Sequence, residues 1–211
     1  MNRIGILGGT FDPVHLGHLL LAENAREQAE LDKVLFMPTH IQPFKQDIPV
    51  SPDGDRIMML ALALKGDKNF SVSRVEIDDP DISYTIVSLE RLREEWDEDT
   101  KIYFITGSDM FINIDKWHRS EDLLRRFSFI VGMRTGETHK EVDSCLSRWK
   151  KEFGTEVIKI TNPVCDISSS DIRRRVAEKL SIRYLVPENV RDYIFDANLY
   201  RVDFNGPQIR S

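Results

Sequence analysis

The chain has 211 residues, enough for one large domain or two small ones at roughly 100–200 residues per domain, and enough to bury a core without a disulfide or structural metal. Its apolar fraction of 41% and charged fraction of 30% are those of an ordinary globular protein, and its formal net charge of −6 argues against nucleic acid as a partner. Any anion it binds must meet a local pocket of positive charge. Cys145 and Cys165 form no CxxC pair and fit no metal framework, so both are expected as reduced thiols. The N-terminal MNRIGILGG is too short and glycine-rich for the apolar core of a signal peptide, and no stretch approaches the ~20 apolar residues of a membrane span. A cytoplasmic protein with no membrane partner is expected. The sequence leaves oligomeric state open and is compatible with a homo-oligomer.

Apolar runs bounded by glycine, proline or aspartate alternate with stretches of helical period. Arg3–Leu7 precedes Gly8-Gly9 and reads as a buried parallel strand. Leu16–Leu31 carries Leu19, Leu20, Ala22, Ala25 and Ala29 at helical spacing. Val34–Met37 is a second strand stopped by Pro38, and Thr39–Pro49 is a polar, proline-bearing loop. Ser51-Pro52 reads as an N-cap with proline at the first helical position, opening a helix through Ile57, Leu60, Ala61 and Leu64. Phe70–Ile77 alternates apolar and polar residues, as a strand does, and Tyr84–Trp96 is helical. Ile102–Ile105 is a buried strand before Thr106-Gly107. Beyond it, helices are expected at Glu121–Arg126, Lys140–Phe153, Ser168–Leu180 and Pro187–Phe195, with strands at Phe127–Val131 and Glu156–Ile160. The tail after Asn198 carries no readable period.

This alternation predicts an α/β fold: a Rossmann-like, doubly wound, mainly parallel sheet with helices on both faces. One domain over residues 1–211 is the simpler organisation, with a C-terminal helical part over about 168–197 packing on it. Ligands of such sheets bind beyond the carboxyl ends of the strands, so function is sought in the loops there.

The first such loop reads Gly8-Gly9-Thr10-Phe11-Asp12-Pro13-Val14-His15-Leu16-Gly17-His18. Adjacent glycines let the backbone approach a ligand and take positive φ. A helix starting near Leu16 turns its unpaired N–H groups and positive dipole end to the same place, which suits an anion. His15 and His18 are three apart, so both project from one face of the first turn and can donate to phosphate oxygens. Gly17 leaves room between them for a flat group such as a purine. Two histidines at this spacing also suit zinc, but no third ligand stands near. A GxGxxG turn is lacking, which speaks against a nicotinamide-dependent dehydrogenase.

A second informative segment is Ile167-Ser168-Ser169-Ser170-Asp171-Ile172-Arg173. Serines at a helix start cap N–H groups, and the same hydroxyls and amides can hold a phosphate. A cation such as Arg173 near the positive end of a helix is locally unfavourable unless an anion occupies the site. The plainer alternative is a capped helix with a solvated basic face.

Together, GGTFDPVHLGH and ISSSDIR resemble the two signatures of the nucleotidyltransferase superfamily with an HxGH motif, and more narrowly the bacterial nicotinate-nucleotide adenylyltransferases. The resemblance spans nearly the whole chain. It continues through Phe36-Met37-Pro38, Pro43-Phe44-Lys45, Ser83-Tyr84-Thr85, Ile105-Thr106-Gly107-Ser108-Asp109, Trp117 and Arg134. Departures are Phe44 for a common histidine, Ser108 for alanine, Thr135 for proline and Ser170 for threonine. None removes a group the chemistry needs, though Phe44 leaves the loop's phosphate contact to Lys45.

The resemblance implies adenylyl transfer from ATP to nicotinate mononucleotide, giving deamido-NAD and pyrophosphate by direct in-line attack of the substrate phosphate. It implies that His15, His18 and Arg173 are catalytic. Gly8, Gly9, Thr10, Phe11, Gly107, Asp109, Ile167, Ser168 and Ser169 would bind ATP. Lys45, Tyr84, Thr85, Trp117 and Arg134 would bind the second substrate. No residue is expected to hold a resident metal, and Mg²⁺ would arrive with ATP. Competing readings are a phosphopantetheine adenylyltransferase-like enzyme, a relative of class I aminoacyl-tRNA synthetases, and a non-catalytic nucleotide sensor. The first fits Ser83-Tyr84-Thr85 and Trp117 poorly; the second lacks a KMSKS-like segment; the third does not explain intact His15, His18 and Arg173.

Overall fold

Hydrogen bonding joins the apolar runs into one sheet. The computed structural model describes residues 2–41, 50–134, 140–163 and 165–201. Its strands are β1 (Arg3–Gly9), β2 (Lys33–Pro38), β3 (Phe70–Val72), β4 (Lys101–Gly107), β5 (Ser128–Arg134) and β6 (Val157–Asn162). They lie in the order β3-β2-β1-β4-β5-β6, every pairing parallel. Parallel neighbours need crossover connections, and helices supply them. These are α1 (Leu16–Gln28), α2 (Asp53–Ala63), α3 (Thr85–Glu94), α4 (Ser108–Phe111), α5 (Ser120–Arg126) and α6 (Lys140–Phe153), followed by α7 (Ser169–Ala177) and α8 (Glu188–Asp196). The architecture is the Rossmann-like, doubly wound α/β fold read from the sequence.

The two-residue period of the strands sorts their side chains onto two faces. Leu7, Val34, Phe36, Tyr103, Ile105 and Ile130 enter one core with Ala22 of α1, Leu60 of α2, Ile172 of α7 and Ile194 of α8. Ile6, Leu35, Met37, Phe104, Phe129 and Val131 enter the other with Leu89 of α3, Phe111 of α4, Leu123 of α5 and Trp149 of α6. Strands covered on both faces have no solvated side, which is why they read as apolar runs. Strand order reverses between β1 and β4, so Gly9 and Gly107 end beside the crevice at the switch point.

Several boundaries depart from the sequence reading. The strand expected over Phe70–Ile77 ends at Val72, and the chain then turns, with the Asp78 N–H donating to the Arg74 carbonyl at 2.9 Å. The alternation there comes from Val75 packing on the second core and Glu76 burying its carboxyl, not from a pleat. Ser51 is not the cap of α2: Pro52 holds that position, and the Ser51 N–H donates instead to the Asp12 carboxylate at 3.1 Å. Helix α1 stops before the left-handed Glu30 (φ 50°) and α7 before the left-handed Lys179 (φ 59°), short of the expected Leu31 and Leu180. Helix α4 and a 3-10 turn at Ile114–Lys116 have four and three residues, too few to show a period.

Candidate active site

Beyond β1 the chain turns through a left-handed Phe11 (φ 52°), whose buried ring stands edge-on to His18 with centroids 4.9 Å apart. Positive φ therefore falls on Phe11 and not on the two glycines. Gly8 and Gly9 finish β1 in register with Met37 and Pro38. Their missing side chains serve close packing: a Cβ would stand 3.1 Å from the Phe104 ring at Gly8 and 3.2 Å from the Phe11 ring at Gly9.

His15 is the N-cap of α1, and its ring stacks on that of His18 with centroids 3.6 Å apart and planes 23° from parallel. The backbone N–H of His15 donates to Nδ1 of His18 at 3.3 Å. That nitrogen is thus an acceptor, and the proton of a neutral His18 ring rests on Nε2. Burial pushes the pKa of His15 down to about 4; burial and then the neighbouring His15 push His18 well below its ordinary value. Both rings are neutral at pH 7, and Nδ1 of His15 is buried without a hydrogen-bond partner among the described residues. The His15 ring fills the space over Gly17, 3.1 Å from where a Cβ would stand, so Gly17 accommodates that ring and not an open shelf for a purine.

The second signature docks on the first. Ser168 Oγ accepts from the Asp171 N–H at 3.1 Å, and Ser169 Oγ donates to the Pro13 carbonyl at 2.8 Å. Arg173 donates through Nη1 to the Asp12 carbonyl at 2.7 Å and through Nη2 to Ser170 Oγ at 3.3 Å. The Ile167 carbonyl lies 3.8 Å from the Cβ position of Gly17. The hydroxyls of Ser168 and Ser169 therefore serve the fold. With the Asp171 N–H taken by Ser168, the start of α7 presents its remaining first-turn amides and the positive charge of Arg173, an arrangement that suits an anion. Arg56, almost fully buried, braces the same loop by donating to the carbonyls of Thr10 at 2.8 Å and Ser51 at 3.1 Å.

A cleft of about 100 Å³ opens at the other side of the β1 terminus. Gly8, Gly9, Met37 and Phe104 line it from the sheet, Tyr84 and Thr85 from the start of α3, and Trp117 and His118 from the segment after the 3-10 turn. The expected residues Tyr84, Thr85 and Trp117 thus share one cleft with the glycines of the phosphate loop. Trp117 stands edge-on to Phe104 at 5.9 Å, and Tyr84 stacks on His118 at 4.2 Å. The α3 cap residue Tyr84 makes no side-chain capping bond, which leaves first-turn amides as donors toward a ligand. Gly107 is the N-cap of α4 and Asp109 lies exposed in its first turn. Lys45 lies outside the described residues, as does the side chain of Arg134, whose backbone ends β5.

Sequence reasoning passed over Glu76, His118, Arg56 and Tyr200. Glu76 alone carried a signal, a charge between the apolar Val75 and Ile77; the others have ordinary surface contexts in the sequence.

A parallel sheet with a histidine-bearing loop and a serine-capped helix meeting at its switch point defines a nucleotidyltransferase-type nucleotide site, and the Cytidylyltransferase-like family model matches residues 6–175. A Thermoanaerobacter sp. relative named "Probable nicotinate-nucleotide adenylyltransferase" is 40% identical over 201 residues, covering 95% of each chain. One of the same name from Desulfitobacterium hafniense is 42% identical, covering 95% of this chain and 97% of its own. The chain belongs to the nicotinate-nucleotide adenylyltransferase family. Among solved structures, the Plasmodium falciparum nicotinic acid mononucleotide adenylyltransferase complexed with NaAD shares the fold, with a TM-score of 0.79 at 20% identity, over 95% of this chain and 98% of that one. Among the described residues no helix is long and apolar enough to cross a membrane.

Proposed function

We propose that the protein transfers the adenylyl group of ATP to the phosphate of nicotinate mononucleotide, giving deamido-NAD and pyrophosphate. The observation that carries this reading is the position of Gly8 and Gly9. They join a phosphate-type site, built from His15, His18 and the start of α7, to an aromatic cleft sized for a small ring. One oxygen of the mononucleotide phosphate attacks the α-phosphorus of ATP, and the bond from that phosphorus to the bridging oxygen of pyrophosphate breaks. The attacking oxygen is already anionic at neutral pH, so no general base is needed. Catalysis is left to positioning and charge stabilisation.

His18 donates from Nε2 to the phosphate oxygens that gain charge, and His15 stands against it for the same purpose. Arg173 and the first-turn amides of α7 hold the leaving pyrophosphate. Thr10 and Phe11 shape the phosphate turn, and Gly107 and Asp109 meet the adenosine side. The α3 amides at Tyr84 and Thr85 take the nicotinate carboxylate, Trp117 packs on its ring, and the family resemblance assigns Lys45 and Arg134 to the second substrate as well. Among the described residues no group of three or more histidine, cysteine or acidic side chains is placed to hold a metal ion. Mg²⁺ would enter with ATP, because this cation binds mainly through substrate phosphates and few protein ligands. The single sheet, with all its helices shared between two cores, supports treating the chain as one domain.

Pyrophosphate release tests the reading, with ATP, Mg²⁺ and a series of candidate phosphates. Release with nicotinate mononucleotide supports it; release with phosphopantetheine alone, or with none, overturns it.

A further inference from the structure

Glu76 lines the aromatic cleft but is only 4% exposed, and no step of the transfer uses it. It sits in the turn after β3, and three segments that shape the cleft send a hydroxyl to its carboxyl group. Ser88, one turn into α3, donates at 2.6 Å. The hydroxyls of Ser83, just before α3, and Thr39, just after β2, also lie close enough to its carboxyl to favour the charged form. Burial raises the pKa of Glu76, while these hydroxyls and the guanidinium of Arg56 pull it back. The same hydroxyls make second contacts that carry the arrangement outward. Ser83 Oγ accepts from the N–H of His40 at 3.1 Å, and Ser88 Oγ makes a longer 3.2 Å contact with the Tyr84 carbonyl. That carbonyl in turn accepts from the N–H groups of Val87 and Ser88, closing the first turn of α3.

A buried carboxyl is costly unless its acceptor sites are filled, and filling them from three directions fixes those three segments relative to one another. We infer that Glu76 is a positioning residue for the second substrate: by binding Ser88, with Ser83 and Thr39 beside it, it sets where the Tyr84 and Thr85 amides stand in the cleft. The inference rests on the reading of that cleft as the mononucleotide site. Its hydrogen bond to Ser88 runs to the α3 side of the cleft, whereas Arg56, which braces the phosphate loop, acts on it through charge, so its larger influence falls on the second substrate. Glutamine in its place keeps one acceptor oxygen but turns an NH₂ toward hydroxyls that can only partly re-pair, so it restores part of the order.

The test combines two-substrate kinetics on Glu76→Ala, Glu76→Gln and Ser88→Ala with amide hydrogen exchange of the ligand-free proteins. Misplacing one donor of the carboxylate site is worth about a factor of ten, so Glu76→Ala raises KM for nicotinate mononucleotide about tenfold and leaves KM for ATP within about twofold. Glu76→Gln falls between the alanine variant and the wild type, and Ser88→Ala moves in the same direction by a smaller factor. The amides of Val87 and Ser88 exchange faster in both alanine variants. Equal rises in both KM values, a loss confined to kcat, or unchanged exchange at Val87 and Ser88 each overturn the proposal. If Glu76→Ala does not fold, Ser88→Ala supplies both readouts. A wild type that makes no deamido-NAD sinks the assignment of the cleft instead, and exchange then decides the positioning role alone.

Discussion

The phenol of Tyr200 donates to the buried carboxylate of Asp12 at 2.5 Å, tying the last described turn of the chain to the phosphate loop. The other carboxylate oxygen takes the Ser51 N–H, and the Asp12 carbonyl takes Arg173. Burial first, and then the charge of Asp12, raise the pKa of Tyr200, so the proton stays on the phenol. Asp12 is thereby a joint between four segments. Tyr200→Phe keeps the ring and removes the bond. A hydrogen bond to a charged group contributes about 1.5–3 kcal/mol, and at roughly 2–4 °C per kcal/mol for a chain of this size the melting temperature should fall by about 3–12 °C. Calorimetry against the wild type checks the shift, and kcat should fall several-fold as the loop loosens.

His18→Ala should leave the fold intact and cut kcat by about 2–4 kcal/mol, the scale of one lost oxyanion donor. The hydrogen-bond partner of His18 Nδ1 is a backbone N–H at the start of α1, so the substitution removes no long-range brace. Near-normal turnover in a folded variant would show that the Nε2 proton has no part in the transfer.

Acid should destabilise the ligand-free protein through His15. Its folded pKa of about 4 lies below the ordinary 6.5, so the unfolded chain binds the proton more readily. Stability is therefore full above pH 6.5 and declines as pH falls from there toward 4. The loss reaches about 3 kcal/mol from this one group at 1.4 kcal/mol per pKa unit. His15→Asn should flatten that part of the profile in denaturant titrations at stepped pH. A wild-type curve already flat between pH 6.5 and 4 would contradict the burial of a neutral ring.

Nicotinate should be preferred over nicotinamide. The first turn of α3 offers N–H donors, which a carboxylate accepts and a carboxamide NH₂ opposes. One mispaired polar group costs about 1–3 kcal/mol, so kcat/KM for nicotinate mononucleotide should exceed that for nicotinamide mononucleotide by at least about tenfold. Trp117→Ala should reduce both by similar factors, because ring packing does not read the substituent. Parallel rates with the two nucleotides under one ATP concentration decide it, and equal use counts against the carboxylate site.

The fold was legible because parallel strands buried on both faces announce themselves as apolar runs, as Val34–Met37 and Ile102–Ile105 do. The phosphate site was legible because its residues are contiguous: His15 and His18 share one helical turn, and Ser168 to Arg173 another. Tyr200 was not, since it gains its meaning from a partner far along the chain, and no local period marks a residue that pairs across 188 positions; Glu76 was not, because its partner Ser88, 12 positions on, lies beyond the turn that the alternation concealed. The strand misread over Phe70–Ile77 failed for a related reason. An alternating pattern reports two environments, and here the second was a hydroxyl-lined cleft and not water. Positive φ at Phe11 in place of the glycines was likewise hidden, because a bulky aromatic takes that conformation only where burial beside His18 and Phe36 secures it.

The two halves of the phosphate site are held together by contacts spanning 156 positions, from Ser169 to Pro13, and 161, from Arg173 to Asp12. During synthesis the histidine loop leaves the ribosome while most of the chain that completes it does not yet exist. Ring closure over such a length is entropically slow compared with the formation of any single helix. A nascent fragment that ends before α7 therefore carries only the histidine half of the phosphate site.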